Sequence, residues 1–190
     1  LYFVKTGVLD LFSYNKLNGI VVDFGGKTTV SVVEDGLLVN EIHLHGTDYL
    51  DKSLINDIKS NKINYKLPQQ SFTYDLYKLK NDLIELREIH QSELIKEIVS
   101  EAIRVVKLSS DVKSLQNNNL FLSGGGVTNS IYKIFIDEFN TLRNKVQYVK
   151  NYHTFLGGSI FGTINQSKAL FISREEYNEI GENVFIQRLQ

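Results

Sequence analysis

Apolar residues follow one rhythm in the first quarter of the chain and another beyond it. Ile20-Val21-Val22 and Val30-Ser31-Val32-Val33 are short β-branched runs, a composition that suits a pleated, buried surface. Asp23-Phe24-Gly25-Gly26-Lys27-Thr28-Thr29 lies between them, and Glu34-Asp35-Gly36 closes the second. That order predicts strand, tight turn, strand, turn, with Gly supplying backbone conformations that a Cβ forbids. Leu37 to Leu44 predicts a further strand. Ahead of the hairpin, Val4, Val8, Leu9 and Leu11-Phe12 predict a short buried helix, which Gly7 weakens. A turn over 15–19 follows it.

After Gly46 the apolar spacing lengthens to three and four. Leu50, Leu54, Ile55 and Ile58 predict a helix through Lys62, with Thr47 as N-cap. Asp48 falls in its first turn, where the helix dipole favours a carboxylate. Asn61 to Ser71 is polar, contains Pro68 and reads as loop. Leu76, Leu79, Leu83, Ile84 and Leu86 predict a second helix from about Tyr74 to Glu88. Leu94, Ile95, Ile98, Val99, Ala102, Ile103 and Val106 form the strongest apolar stripe, with Ser92 as its cap. Asp111 to Asn119 is a polar link.

Leu120-Phe121-Leu122 predicts a short strand that ends in Ser123-Gly124-Gly125-Gly126. A helix opens near Asn129 or Ser130, carrying Ile131, Ile134, Phe135, Phe139 and Leu142. Phe135 and Phe139, at helical spacing, are core. Val146 to Val149 is a short strand. The small residues of Phe155 to Gly162 suit a closely packed helix. Ser173, with Glu176 three residues on, forms a capping box for a last helix that Gly181 ends.

Chemistry concentrates in the two glycine bends. Backbone N–H groups of Gly25 and Gly26 suit an anion nest, and Thr28 and Thr29 add hydroxyls. Asp23, at the strand end, suits a hydrated Mg2+. Strand, glycine turn and helix start at Leu120 to Asn129 form the usual arrangement for backbone contact with a nucleotide. Each bend, taken alone, also reads as a ligand-free turn.

Composition narrows the field. The 190 residues are 42% hydrophobic and 23% charged, enough for a core. The formal net charge of −1 supplies no global basic field for nucleic acid. The absence of cysteine excludes disulfides, thiolate metal sites and cysteine nucleophiles. No apolar run reaches membrane-spanning length, and no signal peptide opens the chain. Met is absent, even at position 1, and the sequence opens mid-pattern, as expected of a fragment, a processed chain or a sequence with segments missing. His43 and His45 share a strand face but lack a third metal ligand. The lysines of 59–66 read as a solvated face. No Ser-His-Asp set has the strand-and-elbow context that a nucleophile needs.

Three separated stretches then fall into one pattern. The Asp-x-Gly-x-x-x-Thr hairpin at Asp23, Leu122-Ser123-Gly124-Gly125-Gly126, and Phe171-Ile172-Ser173-Arg174-Glu175-Glu176-Tyr177-Asn178-Glu179-Ile180-Gly181 resemble actin and the actin-related proteins. Gly157-Gly158-Ser159-Ile160 is similar to theirs as well. The resemblance runs from Ile20 onward and corresponds to the C-terminal half of a family member. It implies an α/β fold, a ribonuclease H-like lobe of the actin-like ATPase type, with a mixed sheet and flanking helices. Residues 1–190 would be that lobe, with a small helical insertion at about 47–88 and no N-terminal lobe.

The resemblance also implies a site. Asp23 would lie at a divalent cation, reached through water. Gly25, Gly26, Lys27 and Thr28 would form a phosphate-binding loop. Gly46 would sit near the nucleoside. Lys80 and Asn81 stand where the family has a polar pair that contacts adenosine. Gly124, Gly125, Gly126, Thr128 and Asn129 would form the adenosine motif. The implied cofactors are ATP or ADP with Mg2+.

Departures from the family pattern bear on catalysis. Active members carry Asp-Gly where Gly26-Lys27 stands and His where Val30 stands. Val can neither move a proton nor orient water, so no catalytic residue is assigned. Asn81 replaces a carboxylate. Between Leu86 and Ile89 the chain is shorter than the family by a sizeable block. The expectation is a divergent actin-related protein that binds ATP or ADP as a largely structural ligand. It would act as a subunit of a cytoskeletal or chromatin-associated assembly, inside the cell, in cytoplasm or nucleus. Its partners would be other actin-like subunits or a multiprotein complex, with no direct contact to nucleic acid or membrane. The alternatives are an active filament-forming ATPase and a nucleotide-free interaction lobe.

Overall fold

A computed structural model describes residues 4–65, 76–109, 120–140, 146–149, 152–164 and 171–188. Its strands are β1 (Gly19–Phe24), β2 (Lys27–Glu34), β3 (Leu37–His45), β4 (Leu120–Ser123) and β5 (Val146–Tyr148). They form one sheet in the order β3-β2-β1-β4-β5. β1 and β3 both run antiparallel to β2, whereas β4 runs parallel to β1 and β5 parallel to β4. The helices are α1 (Thr6–Ser13), α2 (Thr47–Lys59), α3 (Leu76–His90), α4 (Ser92–Leu108), α5 (Asn129–Asn140), α6 (His153–Thr163), α7 (Arg174–Ile180) and α8 (Asn183–Arg188). The expected mixed sheet with helices on both faces is present.

The two-residue period of a strand sorts β1 between two cores. Ile20, Val22 and Phe24 join Val30, Val32, Leu120 and Leu122 on the face covered by α4 and α5. Val21 joins Val8, Leu11 and Phe121 on the α1 face. A strand covered on both faces reads as an unbroken apolar run rather than an alternation, and Ile20-Val21-Val22 is such a run. Phe135 and Phe139 are buried in the first core, as expected.

On the second face, α6 lies against α1. A Cβ at Gly157 would fall on the Leu9 carbonyl oxygen. Gly157 therefore serves close helix packing, whereas a Cβ at Gly162 meets nothing within 4 Å. α2 and α3 share a separate small cluster of Leu54, Ile58 and Ile63, flanked by Leu83 and Leu86. Arg87 Nη2 lies 2.6 Å from Asp51 Oδ1 and joins the two helices.

Helix ends depart from the expected caps at two places. Thr47 is the first residue of α2 rather than its cap, and Gly46 takes the cap position. The Thr47 hydroxyl is committed elsewhere, donating to the Gly25 carbonyl at 3.0 Å. Ser92 likewise begins α4, and Gln91 stands at the cap without a side-chain bond to the helix. Gln91 Nε2 instead donates to the Leu50 carbonyl at 3.0 Å and ties α4 to α2. α2 stops at Lys59, short of Lys62, where Asn61 turns left-handed with φ 57°. Asn tolerates that conformation better than most residues. Ser173 does cap α7, accepting from the Glu176 N–H at 3.1 Å. The expectations for Tyr74, for 66–71 of the polar loop, for Asp111 to Asn119 and for Leu142 lie outside the described residues. Among the described residues, no helix is long and apolar enough to cross a membrane.

Candidate functional site

β1 and β4 end side by side, and both glycine bends start there. Asp23 pairs in register with Ser123 on β4 and with Thr29 on β2. The Gly126 N–H donates to the Phe24 carbonyl at 2.7 Å. Gly124 has φ 95°, and a Cβ there would fall on Asp23 Oδ1. The start of α2 closes the group. Thr47 N–H donates to the Gly25 carbonyl and Asp48 N–H to the Gly26 carbonyl, each at 3.0 Å. Three segments thus meet at the hairpin bend, and the two glycine bends meet at the Asp23 carboxylate.

Their contact accounts for most of the glycines. A Cβ at Gly46 would lie 2.6 Å from the Lys27 carbonyl carbon, and one at Gly26 would lie 2.7 Å from both Asp48 carboxylate oxygens. A Cβ at Gly126 would lie 2.6 Å from the Phe24 carbonyl oxygen and from Thr47 Cγ2. Such separations are far inside van der Waals contact. Gly125 differs: it is exposed, and a Cβ there meets nothing within 4 Å. The glycines beside it clamp the chain to itself, whereas Gly125 presents backbone to open space.

Some expected anion donors are already engaged. The Gly25 N–H donates to the Lys27 carbonyl at 3.1 Å. Thr29 Oγ1 lies 3.2 Å from His43 Nδ1. Thr28 is fully buried, and its hydroxyl has no hydrogen-bond partner among the described residues. Lys27 is exposed at the turn. Thr128 Oγ1 lies 2.7 Å from Ser130 Oγ, whose own hydroxyl donates to Glu88 Oε1 at 2.8 Å. The C-terminal end of α3 therefore touches the start of α5. Asn129, the first residue of α5, is exposed. Lys80 and exposed Asn81 lie on α3, about two turns before Glu88. Val30 is buried in the apolar core, so its position offers no polar group to the turn.

Two carboxyl groups set the electrostatics. Burial raises Asp23 above the ordinary carboxylate range, and the charge of Asp10 adds to that rise. Asp10, on α1, is buried. Desolvation raises it, opposed by the Thr154 hydroxyl that donates to Asp10 Oδ1 and more weakly by Ser123 and His153. Ser123 Oγ stands close enough to oppose the shift without meeting ordinary hydrogen-bond geometry. The sequence patterns did not single out Asp10. Its signal was an acidic residue set between Leu9 and Leu11 in a helix expected to be buried.

A cavity of about 800 Å³ opens on the other side of the hairpin turn, walled in part by Gly26, Lys27, His45, Tyr49, Leu94 and Ile98. Neither Asp23 nor the triple glycine reaches it. The carboxylate and the two bends instead form an open sheet-end ledge. His45 stacks on Tyr49 with ring centroids 4.4 Å apart, and His43 turns to Thr29 and Glu41. Among the described residues, no group of three or more His, Asp or Glu is placed to hold a metal.

No family model matches the chain. A curated protein of Dictyostelium discoideum, whose name marks it as a candidate actin (actin-29), is 24% identical over 254 residues. The match takes in 98% of this chain and 63% of that protein. The likeness is distant, and it is to actin. This chain spans less than two thirds of that relative's length. The aligned stretch is also longer than the chain itself, so it crosses residues that this chain lacks.

Proposed function

We propose that this chain is a divergent actin-like lobe that binds ATP or ADP with Mg2+ as a largely structural ligand. One observation carries the reading: two glycine bends, about a hundred residues apart in sequence, meet at one carboxylate on the ends of adjacent parallel strands. Strand ends at which connections diverge are where open α/β sheets take ligands. The exposed Gly125 backbone and Lys27 offer polar contacts for phosphate. Asp23 would hold the hydrated cation. The five-strand order with helices on both faces and the distant likeness to an actin support the same lobe type.

Hydrolysis is not part of the proposal. Val30 is a buried apolar side chain, so it supplies no group to orient an attacking water. Bound nucleotide would instead brace the two bends against each other, stabilising the folded form by mass action. The lobe would serve as a subunit in a cytoskeletal or chromatin-associated assembly, where further surface would complete the ligand's enclosure.

Nucleotide extracted from the purified protein, identified by mass, together with a phosphate-release assay, tests this. The expected result is ATP or ADP recovered near one equivalent with negligible release. Rapid release would favour an active ATPase. No nucleotide, and none taken up on incubation, would leave the ligand-free interaction lobe.

A further inference from the structure

We propose that the outer edge of β3 is a self-pairing surface, on which a second copy of this chain adds its own β3 antiparallel about a two-fold axis at Ile42.

β3 and β5 are the two edges of the sheet. β5 has three residues, and so short an edge offers little to a partner. β3 has nine, Leu37 to His45. Alternate residues of such a strand turn both N–H and C=O away from the neighbour they already have. Among the described residues, no backbone group of β3 bonds to any segment other than β2. Edges are ordinarily blunted by Lys, by Pro or by a covering helix. Leu37 to His45 contains no Lys, Arg or Pro. α1 packs chiefly on β1 and β2, and the cavity beside His43, Leu44 and His45 leaves the far end of the strand open. Leu37 is 72% exposed and Val39 57%. Strand addition to such an edge gains main-chain hydrogen bonds along its length.

The residues of the edge select the occupant and its register. Val33 pairs with Leu38 and Val32 with Asn40, so β3 bulges at Val39 and runs regularly from Asn40 to His45. A two-fold axis through one residue matches outward groups with outward groups, whereas an axis between two residues does not. An axis at Glu41 would set two carboxylates directly opposite, which is destabilising. An axis at Ile42 instead sets Glu41 opposite His43 of the second copy, on both sides of the axis. It also sets Ile42 against Ile42, and Asn40 against Leu44, within the regular stretch.

The two rows of side chains suit this pairing. Ile42 and Leu44 pack against the core under α4 and α5, so the strand's alternation puts Glu41 and His43 on the other face. Within one chain His43 Nε2 already lies 3.4 Å from Glu41 Oε2. Lys5 Nζ lies 2.6 Å from the same oxygen and offsets the charge that would otherwise keep a second strand away. A contact that uses one patch twice closes on itself. The product is therefore a dimer with one sheet continuous through both copies, and it needs neither Asp23 nor the triple glycine.

Sedimentation velocity over a concentration series tests this. Wild type should show a reversible monomer–dimer equilibrium. Glu41→Lys and His43→Glu should each weaken it by about tenfold or more, because each loses the acid–base pair on both sides of the axis. An equimolar mixture of the two folded variants should restore association, because the mixed dimer regains an acid–base pair at both places. The protein has no cysteine, so Ile42→Cys reports on the axis alone. Mild oxidation should link it to its copy through a disulfide, whereas Leu37→Cys, outside the paired stretch, should not cross-link. That contrast keeps the test decisive if a charge variant fails to fold. Wild type that stays monomeric throughout, a mixture that associates no better than either variant, or Leu37→Cys linking as readily as Ile42→Cys would each overturn the inference.

Discussion

Gly124 and Gly125 are neighbours with opposite duties. At Gly124 a Cβ meets the Asp23 carboxylate and would sit on left-handed backbone. Gly124→Ala should therefore cost about 2 kcal/mol or more, combining about 1–2 kcal/mol for the conformation with the cost of overpacking. At Gly125 nothing lies within 4 Å, so Gly125→Ala should stay within about 0.5 kcal/mol of wild type. Urea unfolding of both variants checks the contrast. If backbone at Gly125 meets phosphate, that same silent variant should weaken nucleotide binding severalfold. Asp10 and Asp23 make a second prediction at this scale. Both carboxyls are raised above the ordinary 3.8. Just above that pH the folded protein still holds protons that the unfolded chain has released. Stability therefore falls as pH rises through the window and stays lowered at neutral pH. Without divalent cation, Asp10→Asn should be more stable than wild type at pH 7, and the gap should close toward pH 4 and below. Urea midpoints at both pH values, with chelator present, measure this. A gap that widens on acidification would contradict the burial of a charged Asp10. The sequence displayed the glycines but not their reasons, because a close approach between segments a hundred residues apart leaves no local mark.

Among the elements, periodicity was most legible where one face is strongly apolar. The α4 stripe of Ile95, Ile98, Val99, Ala102 and Val106 is buried as the spacing implied. Caps were less legible. Thr47 and Ser92 have cap chemistry, yet tertiary partners outcompete the helix ends for the hydrogen-bonding groups of Thr47 and Gln91. Among the described residues Ser173 meets no such competition, and it caps as its sequence implies. The α1–α6 contact depends on Gly157, where a Cβ would strike the Leu9 carbonyl. Gly157→Ala should push the helices apart and cost about 1–3 kcal/mol. Because Asp10 and Thr154 span the same contact, the variant should also lose amide-exchange protection around Asp10. Normal protection with unchanged stability would mean that the helices pack less closely than described.

For the whole molecule, the order β3-β2-β1-β4-β5 carries the functional account, because it sets β4 beside β1 and so brings the second glycine bend to the first. The strands and helices were legible from apolar runs and glycine turns, whereas the mixed sheet was expected only from the resemblance to the actin family. The meeting of the two bends was likewise expected only through that resemblance, since no local pattern fixes the register between β1 and β4. Isothermal titration of Mg·ATP into wild type, Asp23→Ala and Gly125→Ala tests the central claim most directly. The account predicts saturable one-to-one binding by wild type, severalfold weaker binding by Gly125→Ala, and at least tenfold weaker binding by Asp23→Ala, with all three folded by circular dichroism. Indistinguishable isotherms for the three proteins would contradict it.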